Sequence, residues 1–310
     1  MQETPPIRRM EAHRDDPLDK TWETDERDNE NVLECWGVQV DDVVLILALA
    51  ADLGWILLVP LISIPTIIMA ILTQSWVVYR CRNLSVSFVA FQCSEWVWLF
   101  TTFLWVSAEF VWDATRPIGI LGRVKFLVNL SPKLYELVMV VSIVLVSSNF
   151  VVVTLYHLWK HLQAKTEEAQ LQVELRNYAW FCPWLLMDAA WMLCDWHLIH
   201  ASDIGVSFYF LFSLGLAAGV VTLFLCGHYL WRHVGAPPGL CAAEICWVAG
   251  NAVWLVRDAV ASESDVLHGV CALFFMVGIP FGVFGSLARD HRSARAALIS
   301  SSKPKYDNSL

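Results

Sequence analysis

The sequence predicts an all-α fold: a polytopic transmembrane helical bundle of eight spans, alternatively seven, built from repeated helical hairpins. Three observations predict it. The 310-residue chain is 57% hydrophobic and only 16% charged, with 16 Trp and 16 Phe, whereas a soluble domain carries more charge and fewer aromatics. Residues 43–59, 62–80, 86–112, 134–159, 173–196, 204–231, 240–257 and 266–288 are strongly apolar. Most of these reach the ~20 residues that cross ~30 Å of hydrocarbon at 1.5 Å per residue. Lastly, a pattern of polar, Trp, polar, Trp and acid at offsets 0, +3, +7, +10 and +14 recurs three times along the chain.

Residues 1–42 are polar and acidic and read as a disordered tail. They lack the basic–apolar–small order of a signal peptide, so the first span is expected to be kept and to serve as the insertion signal. The transmembrane domain runs from 43 to 290, and 291–310 reads as a short basic tail. Within 43–80, Asp52-Leu53-Gly54-Trp55 matches Asp188-Ala189-Ala190-Trp191 and Asn251-Ala252-Val253-Trp254. This favours a hairpin with its turn across Pro60–Pro65. The rival is one kinked helix over 43–80, which gives seven spans.

The first full copy of the pattern, Glu95-Trp98-Thr102-Trp105-Glu109, lies in span 86–112. Residues 114–133 follow as a short amphipathic segment on the outer surface. Span 134–159 leads into a charged cytoplasmic helix extension, Lys160 to Arg176. The second copy is Phe181-Trp184-Asp188-Trp191-Asp195, in which only Phe181 breaks the rule. Span 204–231 and a tight loop from Gly235 to Gly239 precede the third copy, Glu244-Trp247-Asn251-Trp254-Asp258. Span 266–288 closes the domain.

The spans before each Trp-acid helix end alike: Val78-Tyr79-Arg80-Cys81, Leu158-Trp159-Lys160-His161 and Leu230-Trp231-Arg232-His233. An aromatic followed by a base is an interfacial anchor, with the ring at headgroup level and the cation reaching water. Arg80, Arg82, Lys160, Lys165, Arg176, Arg232, Arg289, Arg292, Arg295, Lys303 and Lys305 fall on one side. Arg116, Arg123, Lys125, Lys133 and Arg257 fall on the other. The excess makes the carboxyl terminus cytoplasmic in a plasma membrane or endomembrane.

Offsets of three and four put the five pattern positions on one stripe of a helix. Carboxylates within apolar spans are costly, so that stripe should face protein or a water-filled cavity. Asp188, Asn251, Thr102 and Asp52 fall near mid-membrane, with Glu95 and Glu244 nearer the cytoplasm and Glu109, Asp195 and Asp258 toward the outer end. Few lysines or arginines lie in the spans to pair with them. Carboxylates lined by Trp98, Trp105, Trp184, Trp191, Trp247 and Trp254 attract a small cation, a proton or a small polar ligand, because indole faces bind cations. The expectation is a proton- or cation-linked transporter or channel-like carrier, not an enzyme, with no cofactor and with the lipid bilayer as its surroundings.

Alternatives are an intramembrane, cyclase-like enzyme on a lipid or isoprenoid substrate, a seven-span receptor, and a structural membrane protein. Asn251-x-x-Trp254 resembles a helix motif of fungal terpenoid cyclases, but the acid that follows the Trp there is Leu255 here, so no family is assigned. The bland alternative for every pattern position is an interhelical hydrogen bond. His197 and His200, three residues apart beside Asp195 and Asp203, are a lesser candidate for a metal or a pH sensor. The nine cysteines show no metal-ligand spacing and read as packed thiols. No phosphate-binding glycine loop, zinc or nucleophile-elbow motif, basic nucleic-acid patch or Arg-rich voltage-sensor helix occurs.

Overall fold

A computed structural model of the protein describes residues 34–35, 38–82, 86–113, 132–163, 179–200, 205–232, 238–259 and 265–301. Of the tail predicted over 1–42, residues 1–33 and 36–37 lie outside the described residues, as do most of the amphipathic segment, most of the charged extension after Lys160 and most of the Gly235–Gly239 loop. So do residues 302–310.

Eight helices make up the described chain: α1 Val40–Ile56, α2 Pro60–Cys81, α3 Val86–Asp113, α4 Pro132–Gln163, α5 Phe181–His200, α6 Val206–Arg232, α7 Pro238–Ala259 and α8 Asp265–Ser301. A two-residue antiparallel pair, Glu34–Cys35 (β1) with Val38–Gln39 (β2), precedes α1. Five helices (α2, α4, α6, α7 and α8) are long and apolar enough to cross a membrane, as in an integral membrane protein. In α3 and α5 the acids and indoles dilute the apolar run, and α1 has 17 residues.

Each helix packs on its neighbours in sequence, and α8 packs back on α1, so the eight close into a ring. Within the ring the helices alternate in character. Apart from Leu57, Leu58 and Val86, every exposed large apolar side chain is on α2, α4, α6 or α8. The indoles of the recurring pattern are buried and lie on α3, α5 and α7, joined by Trp55 of α1. Even-numbered helices therefore form an apolar exterior suited to lipid, and odd-numbered ones form the core.

The break between α1 and α2 lies at Leu57–Val59, three residues before the turn expected at Pro60–Pro65. Val59 N–H donates to Gly54 O (2.7 Å) and Leu58 N–H to Trp55 O (2.9 Å). This is a Schellman closure, with Leu58 in the left-handed region at φ 54°. Pro60 sits at the start of α2, where no N–H is needed. Pro65 lies within α2, where the Thr66 hydroxyl donates to Ile62 O and Ser63 O. A Cβ on Gly54 would stand 2.6 Å from Ser63 N, so the hairpin closes only with glycine there. The stretch 43–80 is thus two helices.

A second close approach joins α7 to α8, where a Cβ on Gly239 would lie 2.7 Å from Gly285 Cα. Helix α8 extends past the expected end at 288, its 37 residues reaching Ser301.

Candidate functional site

The core of the bundle is a column of tryptophans in two layers. The upper layer, toward the carboxyl-terminal ends of the odd-numbered helices, holds the +10 residues Trp55, Trp105, Trp191 and Trp254, all buried. Ring centroids are 5.1 Å apart for Trp55–Trp105, 4.3 Å for Trp55–Trp254, 5.2 Å for Trp105–Trp191 and 5.3 Å for Trp191–Trp254. Trp55 and Trp191 stack across the centre at 6.3 Å with planes 10° apart. The lower layer holds the +3 residues Trp98, Trp184 and Trp247, in mutual contact at 4.4–6.1 Å. The equivalent position on α1 is Ala48, also buried.

Four indole N–H groups reach carboxylates on other helices. Trp98 Nε1 donates to Asp188 Oδ2 at 2.6 Å, and Trp247 Nε1 to Asp52 Oδ2 at 2.7 Å. Trp55 Nε1 donates to Glu109 Oε2 at 2.8 Å, and Trp191 Nε1 to Asp258 Oδ2 at 3.3 Å. By helix, the donors and acceptors run α1 to α3, α3 to α5, α5 to α7 and α7 to α1. The bonds therefore make a closed circuit with a single direction.

Asp52 and Asp188 are the two aspartates of the lower layer. Both are buried, at 7% and 5% exposure, and they lie within electrostatic reach of each other. Asn251 Nδ2 adds a bond to Asp52 at 3.3 Å and one to Trp247 O at 3.0 Å. Thr102, at the same offset, turns its hydroxyl to Trp98 O at 3.0 Å. No Lys or Arg pairs with either aspartate among the described residues. Trp105 and Trp184 each bury an indole N–H that finds no acceptor among the described residues.

Upper-layer acids gather at one end. Asp195 lies within electrostatic reach of Asp258 and Glu109, and Arg257 stands 3.6 Å from Asp258. These are the acids expected toward the outer end, and Glu109 and Asp258 also accept indole N–H groups there.

Glu95 and Glu244, half-buried, lie apart from the aspartates in two polar clusters. Gln74 Nε2 donates to Gln92 O (3.0 Å), Gln92 Oε1 (2.7 Å) and Glu95 Oε2 (3.1 Å). Glu244 lies near Cys226 and Cys241. Ser94 and Asn149 tie α3 to α4, the hydroxyl donating to Asn149 Oδ1 at 2.7 Å and Asn149 Nδ2 to Ser94 O at 2.9 Å.

The sequence reading missed Gln74, Gln92 and Asn149. Their signal was present all the same, since each is an amide within or beside a short polar cluster inside an apolar run: Thr73-Gln74-Ser75, Gln92-Cys93-Ser94-Glu95 and Ser147-Ser148-Asn149. His197 sits 3.4 Å from the Ser207 hydroxyl, and the His200 side chain lies outside the described ones. Among the described residues no three His, Cys, Asp or Glu side chains form a metal-ligand set.

Chemically, this site offers two buried acids held by neutral N–H donors, walls of indole, and two further N–H groups able to serve a bound oxygen atom. Compared with family models, curated proteins and solved structures, the chain matches none.

Proposed function

We propose that this protein is an eight-span integral membrane carrier for protons or a small cation, built from repeated helical hairpins, with its carboxyl terminus in the cytoplasm. The observation that carries the reading is the placement of Asp52 and Asp188. Both are buried at mid-bundle, with indole and amide N–H groups as donors and no Lys or Arg partner among the described residues. Ionisable groups held within a membrane bundle mark ion pathways and proton relays by default. A purely structural polar contact would be served by Asn or Ser at less cost than by a carboxyl group.

Asp188 and Asp52 are the working groups, and Glu95 and Glu244 are further acids along the same core. Trp98, Trp105, Trp184, Trp191, Trp247 and Trp254 form the aromatic wall, Asn251 orients Asp52, and Thr102 lies beside them with its hydroxyl on Trp98 O. The ring contacts of the upper layer are too close for a solute to pass, so this arrangement is a closed one and its rings must part in transport.

A second reading, an enzyme that protonates a lipid or isoprenoid substrate, draws support from the same packing. Indole faces crowded around buried acids would stabilise a developing carbocation.

The test is solid-supported-membrane electrophysiology on proteoliposomes under a pH step and a panel of small cations. Currents in the parent protein, absent from protein-free membranes, are expected. Folded protein that stays silent while converting an added isoprenoid would overturn the carrier reading in favour of the enzyme.

A further inference from the structure

The four indole–carboxylate bonds obey an exchange of the two halves of the chain. A shift of 136 residues takes Asp52 to Asp188 and Trp55 to Trp191, from α1 to α5. A shift of 149 takes Trp98 to Trp247, Trp105 to Trp254 and Glu109 to Asp258, from α3 to α7. Under that exchange the Trp55–Glu109 bond becomes Trp191–Asp258, and Trp98–Asp188 becomes Trp247–Asp52.

Ring contacts follow the same rule. Trp55–Trp105 exchanges with Trp191–Trp254, and Trp55–Trp254 with Trp105–Trp191, while Trp55–Trp191 and Trp98–Trp247 exchange onto themselves. Outside the column, the Gln74–Gln92–Glu95 cluster takes the place of Cys226, Cys241 and Glu244. Side chains that differ in chemistry occupy matching positions, so the relation lies in the architecture and not in one shared bond.

The exchange divides the bonds into two kinds. Trp55–Glu109 lies within α1–α4, and Trp191–Asp258 lies within α5–α8. Trp98–Asp188 and Trp247–Asp52 cross from one set of four helices to the other. We infer that α1–α4 and α5–α8 are two halves related by a two-fold rotation about the bundle axis. We further infer that Asp52 and Asp188 sit where these halves meet, each clasped by an indole of the opposite half, and that one movement of the halves uncovers both.

The use of that movement in transport rests on the carrier reading; the two halves and the shared clasp do not. A site on the interface between parallel repeats is also where alternating access places a substrate. The upper bonds, within halves, travel with them.

The test is labelling of the full-length protein in lipid nanodiscs with dicyclohexylcarbodiimide, an apolar reagent that adds to carboxyl groups. The adduct at Asp52 and at Asp188 is quantified by peptide mass spectrometry. Trp98→Phe and Trp247→Phe keep an aromatic ring, smaller than indole, and remove the N–H. Each is expected to raise labelling at both aspartates by about tenfold, because leaving a buried acceptor without its donor shifts a closed state by that order. Trp55→Phe, at an indole that bonds within its own half, should leave both levels at those of the parent.

If either Phe variant fails to fold, Asp188→Asn weakens the same clasp from the acceptor side and should raise labelling at Asp52. Three outcomes overturn the inference: each variant uncovering only its own acceptor, the within-half variant Trp55→Phe acting equally, or no variant changing labelling. Joint uncovering in a protein that carries no current would leave the halves standing and sink the carrier reading alone.

Discussion

A carboxyl group in an apolar helix must find donors, and in this protein it finds indoles. Trp98 and Trp247 satisfy Asp188 and Asp52 without neutralising them with a fixed cation, which leaves the acids free to exchange a proton or meet a mobile one. The polar clusters farther along the core have a different task. Gln74 makes three hydrogen bonds across α2 and α3 from a fully buried position. Gln74→Leu should destabilise the fold by about 1–2 kcal/mol, the range of interhelical hydrogen bonds in membranes. Thermal unfolding in detergent reads this, and an unchanged midpoint would show the cluster to be idle.

Sequence alone placed the acids and the indoles on one stripe, because offsets of three and four leave no other helical arrangement. It could not pair them. Which Trp serves which acid depends on the order of helices around the ring, and nothing in the spacing within one helix encodes that. Trp55 illustrates the gap: it was read only as part of a match to other helices, and it proves to donate to Glu109, 54 residues away.

Among the elements, the α1–α2 hairpin shows most plainly how local chemistry decides topology. Proline at 60 marked a break, and the structure starts a helix there because proline is at ease in a first turn. The reversal instead uses Leu58 in the left-handed region, which costs a residue with a Cβ ~1–2 kcal/mol. Leu58→Gly should therefore stabilise the protein by about 1 kcal/mol. Gly54→Ala should destabilise it by more than that, since its new methyl group would meet backbone at 2.6 Å. The two thermal midpoints should move in opposite directions, and a shared direction would contradict the turn described.

Span limits were legible to within a few residues for most helices, since apolar runs end where charge begins. The exceptions are α5, which starts at Phe181 instead of 173, and α8, whose helix continues to Ser301. In both, polar sequence flanks the apolar run, and hydropathy reports the membrane boundary and not the end of the hydrogen-bonded helix.

The whole molecule is a ring of eight helices in which alternate members face outward and inward. That division explains why the odd-numbered helices hold the acids and tryptophans while the even ones hold the exposed apolar side chains. On the proposed eight-span reading both termini lie on one side, and the excess of Arg and Lys there argues that this side is the cytoplasm. Tags at either end should be inaccessible to protease on intact cells and accessible after permeabilisation. An amino-terminal tag cleaved from outside would contradict eight spans.

The central claim is that two equivalent buried aspartates do the work of the bundle. The most direct measurement compares pH-step currents in proteoliposomes of the parent protein, Asp52→Asn and Asp188→Asn, with matched protein content and verified folding. Both variants should lose the current, at least tenfold below the parent if each acid is obligatory, the step expected for loss of about 1.4 kcal/mol or more of transition-state stabilisation. Full current in either folded variant would contradict the claim.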